Sequence, residues 1–278
     1  MNDTSLFNIG NVQVGGNRFF LIAGPCVIES SDHCHFMARQ LKALSANLKI
    51  PFIFKASFDK ANRTSLSSYR GPGLQEGLSI LQSVRRELDV AVLTDVHEVA
   101  QVARAAESVD CLQIPAYLSR QTDLLLAAAQ SGCAVNVKKG QFLAPWDMKH
   151  VVDKLTSTGC RRILLTERGT CFGYNNLVVD MRSLPILRGL GFPVVYDVTH
   201  SLQLPGGQAD SSGGEPQFIG PLARAGVAVG VDGVFMEVHD NPAAALSDGP
   251  NSLFLNKVES LLRQLVEISA MVSGRELS

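Results

Sequence analysis

Short apolar runs alternate with longer amphipathic stretches along the whole chain. Eight of these runs are aliphatic or β-branched and six to eight residues long, which is typical of buried strands. They cover residues 19–25, 51–57, 91–97, 111–116, 134–140, 162–169, 193–200 and 233–240. Stretches with helical periodicity lie between or after them, at residues 35–48, 74–88, 122–132, 148–159 and 252–272.

Strand and helix alternate at intervals of about 20 to 40 residues, the period of a βα unit, which predicts a parallel sheet. Eight such units favour one domain over residues 1–278, an α/β fold of the closed (β/α)8 TIM-barrel type. An open doubly wound sheet is the alternative, but its Gly-x-Gly-x-x-Gly turn is replaced here by Gly24-Pro25-Cys26. Residues 6–18 alternate around Gly15-Gly16, which predicts a short N-terminal β-hairpin at the bottom of the barrel.

Every predicted strand ends in a group that can coordinate, donate or titrate. In chain order these are Cys26, Lys55, Asp95 with His97, Gln113, Lys138, Arg168, Asp197 with His200, and Glu237 with His239. A single polar residue at such a position is explained equally well by a strand that reaches the surface. Eight in succession predict an active site, because the carboxyl ends of the strands carry the chemistry of these barrels.

One set of these polar residues is cationic. It comprises Lys55, Lys60, Arg63, Arg120, Lys138, Lys139 and Arg168. The formal net charge of the chain is only −1, which argues against nucleic acid or an anionic membrane as a partner. Converging cations therefore predict a local site for phosphate and carboxylate groups. Strand alternation points Lys138 into the barrel with Asn136, and Lys139 outward against a neighbouring helix.

A second set is soft and acidic: Cys26, His200, Glu237 and Asp248. A thiolate, an imidazole and two carboxylates fit a divalent transition metal such as Zn, Fe(II), Mn or Co, because Mg²⁺ rarely takes sulfur. Their spacing in sequence does not show that they meet. Residues 201–221, rich in Gly, Ser and Pro, form a long loop predicted to lie over the active site.

The first twenty residues lack the pattern of a signal peptide, and no apolar run reaches the length of about 18 residues that a membrane span needs. We therefore expect a cytoplasmic protein. The six cysteines include no Cys-x-x-Cys pair and are expected to be reduced and buried. No Gly-x-x-x-x-Gly-Lys-Ser/Thr motif occurs, which excludes a nucleoside triphosphatase of that type.

Nine motifs together resemble one enzyme family: IAGPCVIES, FKASFDKANRTS, YRGPG, TDVHE, DCLQIPA, NVKKGQF, TERGTCFGYNNLVVDMR, YDVTHSLQLPGG and FMEVHDNPAAALSDGPNSL. From about residue 19 to residue 260 the chain resembles the 3-deoxy-D-manno-octulosonate 8-phosphate synthase family. The resemblance implies a homotetramer of TIM barrels that condenses phosphoenolpyruvate with D-arabinose 5-phosphate and water. The products are the octulosonate 8-phosphate, used for lipopolysaccharide, and inorganic phosphate.

The resemblance also implies roles for individual residues. The metal-dependent class of the family carries Cys at the position of Cys26, where the metal-independent class carries Asn, and residues matching His200, Glu237 and Asp248 complete the metal site. The implied catalytic residues are Cys26, His200, Asp248, Lys60 and Asn62. The implied substrate-binding residues are Lys55, Lys60, Asn62, Arg63, Thr64, Asp95, Gln113, Ala116, Lys138, Arg168, Gln203 and Ser212, with Arg120 reaching the active site of a neighbouring subunit.

Three other interpretations remain open at this point. The related 3-deoxy-D-arabino-heptulosonate 7-phosphate synthases use erythrose 4-phosphate and typically read Lys-Pro-Arg-Thr-Ser, where this chain has an additional amide at Asn62. A catalytically silent phosphosugar-binding barrel would be expected to lack a metal ligand or a lysine of the site. A metal barrel of the class II aldolase type would need neither two anion sites nor Asn62.

Overall fold

The computed structural model describes residues 4–63, 65–206 and 213–273. Within these residues eight parallel strands follow one another around a closed barrel, because β8 pairs with both β7 and β1. The strands are β1 (Phe20–Gly24), β2 (Phe52–Lys55), β3 (Ala91–Asp95), β4 (Cys111–Ile114), β5 (Ala134–Lys138), β6 (Ile163–Glu167), β7 (Val194–Asp197) and β8 (Gly233–His239). The predicted TIM barrel is confirmed.

Helices follow the strands and cover the outside of the barrel. They are α1 (Ser31–Asn47), α2 (Leu74–Leu88), α3 (Val99–Ser108), α4 (Thr122–Gln130), α5 (Met148–Ser157), α6 (Ser183–Arg188), α7 (Ile219–Val229) and α8 (Leu255–Ser273). α1 begins after Ser30, whose hydroxyl accepts a hydrogen bond from the backbone N–H of His33 at 3.1 Å. None of the helices in the described ranges has the length and apolar character needed to cross a membrane.

The N-terminal hairpin closes the bottom of the barrel, as predicted, but its turn lies elsewhere. Its strands are Phe7–Ile9 and Val12–Val14, so the hairpin turn lies at Gly10-Asn11, and a separate antiparallel bridge between Gly15 and Arg18 turns the chain again after the hairpin. Gly10 has a φ of +55°, which glycine adopts without strain. Ile9 and the residues of the second strand pack against the lower residues of the barrel interior.

The barrel interior changes from apolar to polar at a single level. The lower layer contains Ile53, Leu93, Cys111, Ala134, Leu164, Val195 and Phe235. Two residues further along the same strands lie Lys55, Asp95, Gln113, Asn136, Thr166, Asp197 and Glu237, all of them buried. Because residues two apart in a strand share a face, these side chains also point into the barrel. They form a ring of polar groups directly above the apolar lower layer.

Gly24 ends β1 where two strands approach closely. A Cβ atom at this position would lie 2.0 Å from the backbone oxygen of Lys55, so only glycine fits. The close approach brings the chain over the barrel mouth before Cys26. The glycine of the Gly-Pro-Cys pattern is therefore explained by close packing of the backbone two residues before Cys26.

Short elements at the rim complete the architecture. They are the strand pairs Thr170–Cys171 with Leu177–Val178 and Gln203–Leu204 with Gly213–Gly214, the strand Leu253–Phe254, and the 3₁₀ helices Ala116–Leu118, Pro145–Asp147, His200–Leu202, Pro216–Phe218, Pro242–Ala244 and Gly249–Asn251. The pair formed by Gln203–Leu204 and Gly213–Gly214 is the base of the predicted long loop 201–221.

All six cysteines are free thiols, as predicted. Cys26, Cys34 and Cys111 are buried, but Cys133 and Cys160 are only half-buried and Cys171 is exposed. The expectation of burial is therefore wrong for Cys171. This residue lies in a two-residue strand at the rim, outside the barrel wall.

Candidate active site

Three potential metal ligands converge at the barrel mouth from distant parts of the sequence. Cys26 follows β1, Glu237 lies in β8, and Asp248 follows the 3₁₀ helix Pro242–Ala244. One ligand atom from each of the three lies within 4.8 Å of the others. The Cys26 Sγ atom is 3.2 Å from Asp248 Oδ2 and also 3.2 Å from the Ser247 hydroxyl.

His200 adds an imidazole to this group. Its Nε2 atom lies 3.4 Å from Glu237 Oε1 and 3.9 Å from Asp248 Oδ2. Its other ring nitrogen, Nδ1, lies 2.8 Å from Asp197 Oδ2, and Asp197 Oδ1 accepts the backbone N–H of His200 at 2.9 Å. A carboxylate on Nδ1 orients the ring and directs Nε2 at the ligand group, which is how metal-binding histidines are commonly supported.

The charges of the group favour a bound cation. Burial, followed by the charges of Asp248 and Glu237, raises the pKa of the Cys26 thiol. Burial opposes ionisation of Asp248, but Lys60 and Arg63 hold its pKa well below the usual range. Among the residues that the structure describes, Glu237 Oε2 is buried without a hydrogen-bond partner. A thiol, an imidazole and an uncompensated carboxylate oxygen at contact distance fit a borderline transition metal.

Two lysines neutralise the acidic side of the site. The Lys55 ammonium is buried and donates to the Cys26 backbone oxygen at 2.8 Å and to Glu237 Oε1 at 3.3 Å. The Lys60 Nζ atom lies 3.7 Å from the same oxygen. Burial opposes the charge on Lys60, but the acidic groups around it raise its pKa. Lys60 therefore remains charged beside the predicted metal ligands.

Lys138 points into the barrel, as strand alternation predicts. Its Nζ atom lies 2.5 Å from Asp197 Oδ2 and 3.6 Å from the centre of the Phe235 ring. Lys139 has the outward orientation, but the predicted helix contact is wrong. It is fully buried, lies 3.5 Å from Glu167 Oε1 at the end of β6, and donates to Thr170 Oγ1 at 3.0 Å. The loop that follows β6, and not a helix, covers this part of the barrel wall.

A cavity of about 340 Å³ opens above the polar ring. Its lining includes Lys55, Lys60, Asn62, Arg63, Asp95, His97, Gln113, Ala116, Lys138, Arg168, His200, Gln203 and Asp248. Ala116 begins the 3₁₀ helix Ala116–Leu118, and the first amides of a helix have no partner within it. Cationic side chains and this amide give the inner cavity the character of an anion site.

Arg168 is the most informative residue of the inner cavity. Its side chain is buried, and its Nη2 atom donates to Gln203 Oε1 at 2.9 Å. Its Nη1 atom is buried and has no hydrogen-bond partner in the described part of the chain. Burial lowers the pKa of the guanidinium, which nevertheless stays charged at neutral pH. A buried cation with an unused donor is costly unless a ligand anion completes it.

An outer cavity of about 850 Å³ adjoins the inner one, and both share Asn62, Arg63, Tyr117, Gln203 and Asp248 in their lining. Arg63 Nη1 donates to the Ser247 hydroxyl at 2.8 Å and lies 3.4 Å from Asp248 Oδ1. Its Nη2 atom donates to Asn62 Oδ1 at 3.2 Å. Asn62 and Arg63 therefore stand at the junction between the two cavities.

Comparison with known proteins identifies the family. Residues 5–273 match the DAHP synthetase I family. The 2-dehydro-3-deoxyphosphooctonate aldolase of Pelobacter propionicus is 59% identical over 265 residues, which cover 95% of this chain and 97% of that one. The proteins of the same name from Geobacter metallireducens and Syntrophotalea carbinolica are 60% identical over 265 residues (95% and 97%) and 58% identical over 275 residues (99% and 99%).

The chain belongs to the DAHP synthetase I family. The resemblance seen in the motifs is confirmed, because the curated relatives match over nearly the full chain. The two cavities and the four converging side chains are thus the candidate active site of a DAHP synthetase I family member. The residues assigned to this site by resemblance remain predictions, and the structure shows where each lies.

Most of the predicted site residues line the inner cavity of this family member. Cys26 and Glu237 lie beside it in the ligand group and are not part of its lining. Arg120 is exposed and lines a separate cavity of about 300 Å³ with Leu143 and His150. The structure therefore does not bring Arg120 to the cavities of its own chain. Thr64 and Ser212 lie outside the described residues.

Two residues at the site were missed in the sequence. Phe235 forms the apolar floor beneath the Lys138 ammonium, and its position two residues before Glu237 in the same strand is a signal that strand alternation provides. Ser247 contacts both Cys26 and Arg63 through its hydroxyl. The only signal for Ser247 in the sequence is its position next to Asp248. A loop has no periodicity from which the direction of a side chain could be predicted.

Proposed function

We propose that this chain is a metal-dependent 3-deoxy-D-manno-octulosonate 8-phosphate synthase. It condenses phosphoenolpyruvate with D-arabinose 5-phosphate and water, and releases inorganic phosphate. The observation that carries the proposal is the contact between two kinds of site: a cationic cavity with an unused Arg168 donor, and the Cys26–His200–Glu237–Asp248 group at its edge. The names of relatives that are 56–60% identical support the same reaction.

Phosphoenolpyruvate is assigned to the inner cavity. Arg168, Lys138 and the Ala116 amide bind its phosphate, while Lys60 and Gln113 bind its carboxylate. Each charge-assisted hydrogen bond of this kind contributes about 1.5–3 kcal/mol. The unused Nη1 donor of Arg168 supports the phosphate assignment, because a phosphate oxygen supplies the acceptor that the described protein groups do not. Lys55, Asp95 and Gln203 line the same cavity.

The pentose phosphate is assigned to the outer cavity with its aldehyde at the junction. Asn62 and Arg63 lie at that junction, where the metal group also begins. Thr64 and Ser212 are assigned to the pentose phosphate by the resemblance alone. An amide at position 62 that hydrogen-bonds a sugar hydroxyl disfavours the shorter erythrose 4-phosphate, because its polar group would be left unpaired. The names of the relatives do not favour the heptulosonate alternative either.

The reaction needs positioning more than covalent catalysis. C3 of phosphoenolpyruvate forms a bond to the aldehyde carbon, the aldehyde oxygen takes a proton, and C2 accepts the oxygen of water. The bond between C2 and the phosphate oxygen then breaks, and phosphate leaves. Lys60, Lys138 and Arg168 offset the repulsion between the two phosphorylated substrates and hold the reacting carbons together.

Cys26, His200, Glu237 and Asp248 are the residues that would hold the divalent ion. Zn, Fe(II), Mn and Co fit this donor set, and a bound ion would supply Lewis acidity for activation of water or of the aldehyde. Asp248 is the chain's own candidate for the acid–base group. This carboxylate lies in the lining of both cavities and contacts Cys26 and Arg63. It therefore faces the junction assigned to the sugar aldehyde.

The proposal extends to the assembly and its location. We assign a cytoplasmic homotetramer in which Arg120 contributes to the active site of a neighbouring subunit. Arg120 supports this because it is exposed and lines neither the inner nor the outer cavity of its own chain. The exposed side chains of Phe142 and Trp146 support it as well, because they adjoin in sequence Leu143 and Asp147, which line the same small cavity as Arg120. Large exposed apolar side chains are typical of a subunit interface.

Phosphate release tests the proposed function. Purified protein with Mn²⁺ is mixed with phosphoenolpyruvate and either arabinose 5-phosphate or erythrose 4-phosphate, and free phosphate is measured against time. We expect release with arabinose 5-phosphate only, and its loss in Lys60→Met. Lys149→Met is the matched control, because Lys149 is exposed and pairs with Asp153 on its own helix.

The other outcomes of this assay indicate a different function for the protein. Release with erythrose 4-phosphate alone indicates a heptulosonate synthase. Absence of release with either sugar, in folded protein supplied with the metal, indicates a silent barrel and contradicts the proposal. Asn62→Ala separates the two synthases further, since we expect it to raise the KM for arabinose 5-phosphate and leave that for phosphoenolpyruvate unchanged.

A further inference from the structure

A second cluster of metal-ligating side chains lies at the barrel rim. Glu29 follows β1, His33 lies in the first turn of α1, and His239 is the last residue of β8. One ligand atom from each of these three residues lies within 4.8 Å of the others. None of them belongs to the group formed by Cys26, Glu237 and Asp248, and none lines the inner or outer cavity.

The distances within the cluster resemble those between ligands of one ion. His239 Nε2 lies 3.2 Å from Glu29 Oε1, and the two imidazole rings lie 4.6 Å apart, centre to centre, at 37°. Asp240 Oδ1 lies 3.0 Å from His33 Nε2 and 3.1 Å from His239 Nδ1. Two ligands bound at about 2.1 Å in a tetrahedral site are about 3.4 Å apart. Small movements are therefore enough to close the cluster around an ion.

Hydrogen bonding within the cluster leaves a ligand position on His33 and occupies both ring nitrogens of His239. His33 uses Nε2 for Asp240, and its Nδ1 atom is buried and without a partner in the ranges that the structure describes. His239 Nδ1 accepts the backbone N–H of Asn241 at 2.9 Å, so its Nε2 carries the proton that is shared with Glu29. For Nε2 to bind a cation, this proton moves to Nδ1, where Asp240 Oδ1 at 3.1 Å accepts it in place of the Asn241 donor. A carboxylate behind an imidazole is the usual support of a metal-binding histidine.

We propose that Glu29, His33 and His239 bind a second divalent transition-metal ion, with Asp240 orienting both imidazoles. Two imidazoles and one carboxylate are a donor set for Zn²⁺, Co²⁺ or Ni²⁺, whereas Mg²⁺ and Ca²⁺ take oxygen ligands. The site contains no thiol, which distinguishes it chemically from the Cys26 group. It rests on its own side-chain geometry and is independent of the proposed synthase activity.

The second site is connected to the loop that carries Asp248. Glu29 Oε1 accepts the backbone N–H of Leu246 at 2.8 Å, two residues before Asp248. Without an ion, the backbone N–H of Asn241 donates to His239 Nδ1 at 2.9 Å, at the start of the same loop. An ion at the second site therefore ties the first turn of α1 to this loop. We expect its binding to raise the thermal unfolding midpoint, because it binds only the folded chain.

Cobalt titration of the metal-stripped protein distinguishes the two sites. Co²⁺ bound to a thiolate gives a near-ultraviolet charge-transfer band, whereas Co²⁺ bound only to imidazole and carboxylate gives visible bands alone. We expect wild-type protein to bind two equivalents, of which one produces the thiolate band. His33→Leu should bind one equivalent and keep the thiolate band and the turnover rate. Cys26→Ala should bind one equivalent without that band.

Two further variants make the result decisive. His150→Leu is the matched control, because His150 is exposed and outside the cluster, and it should bind two equivalents. His33→Gln keeps a hydrogen-bond donor for Asp240, so it replaces His33→Leu if that variant does not fold, as judged by its circular dichroism. The proposal is overturned if wild-type protein binds no equivalent beyond the one that gives the thiolate band, or if the folded His33 variant binds as many equivalents as wild-type protein.

Discussion

Arg168 provides a test in which stability and function respond in opposite directions. Its guanidinium is buried, with one donor on Gln203 and a second without a partner in the described residues. In the absence of ligand, a buried charge that is only partly satisfied contributes little or opposes folding. We therefore expect Arg168→Met to have an unchanged or higher thermal midpoint without ligand. The same variant should lose the midpoint increase that phosphoenolpyruvate gives to wild-type protein.

The Arg168→Lys variant measures how much the guanidinium contributes to phosphoenolpyruvate binding. Lysine keeps the charge but loses the planar fork that engages a phosphate through two parallel bonds. Loss of one charge-assisted bond costs about 1.5–3 kcal/mol. At about 1.4 kcal/mol for each factor of ten, kcat/KM for phosphoenolpyruvate should fall by about 10- to 150-fold. The KM for arabinose 5-phosphate should change little, because the pentose is assigned to the outer cavity.

The assays are a phosphate-release rate at varied concentrations of each substrate and a thermal melt with and without phosphoenolpyruvate. Arg161→Lys is the matched control, since Arg161 is exposed and its Nη1 atom donates to the backbone oxygens of Thr156 and Cys160. The reasoning fails if Arg168→Lys raises the KM for the pentose and leaves that for phosphoenolpyruvate unchanged. It also fails if Arg168→Met still shows the full stabilisation by phosphoenolpyruvate.

Three further predictions concern stability and the metal. Gly226→Ala should lower the free energy of urea unfolding by about 1–3 kcal/mol, because its Cβ would lie 2.3 Å from Tyr196 Cδ1. Gly220→Ala in the same helix has room for the Cβ and should raise the free energy of unfolding by about 0.5–1 kcal/mol. Equal effects of the two substitutions would refute this reasoning. Burial opposes the charge on His97, but the hydrogen bond and charge of Asp95 raise the pKa of its imidazole. Protonated His97 therefore contributes its full stabilisation of the fold below about pH 6.5, and this stabilisation is lost as the pH rises through the pKa of His97 in the folded protein. His97→Gln should therefore destabilise more at pH 5.5 than at pH 8.5, and the reverse order contradicts the assignment. Chelation should abolish phosphate release and Mn, Zn, Fe(II) or Co should restore it; full activity after exhaustive metal removal is the contrary result.

The barrel is predictable from the sequence because its signals repeat. Eight apolar runs and their spacing fix the number of strands, and alternation within a run fixes which side chains point inward, as Lys138 shows. Because the same level in each strand changes from apolar to polar, the position of the site follows as well. These are local regularities, and each strand provides an independent example of them.

The incorrect predictions concern what neighbouring segments do. Alternation gives the outward direction of Lys139, but it does not reveal that the end of β6 supplies Glu167 and the segment after it supplies Thr170 as partners. Alternation around Gly15-Gly16 does not locate the hairpin turn, which lies at Gly10-Asn11 between the paired strands, although all three glycines have a positive φ. The contacts of Ser247 depend on the path of a loop. Such features depend on packing between segments that are distant in the chain. No repeating pattern in a single sequence reveals which distant segments pack together.

The central claim is that Cys26, His200, Glu237 and Asp248 hold one ion at the barrel mouth. X-ray absorption spectroscopy on metal-stripped His33→Leu protein, reloaded with one equivalent of Zn²⁺, tests this directly, because the substitution removes the second cluster as a competing site. The account predicts one sulfur scatterer at about 2.3 Å with nitrogen and oxygen scatterers at about 2.0–2.2 Å. A spectrum without sulfur, or one whose sulfur signal persists after Cys26→Ser, would contradict it.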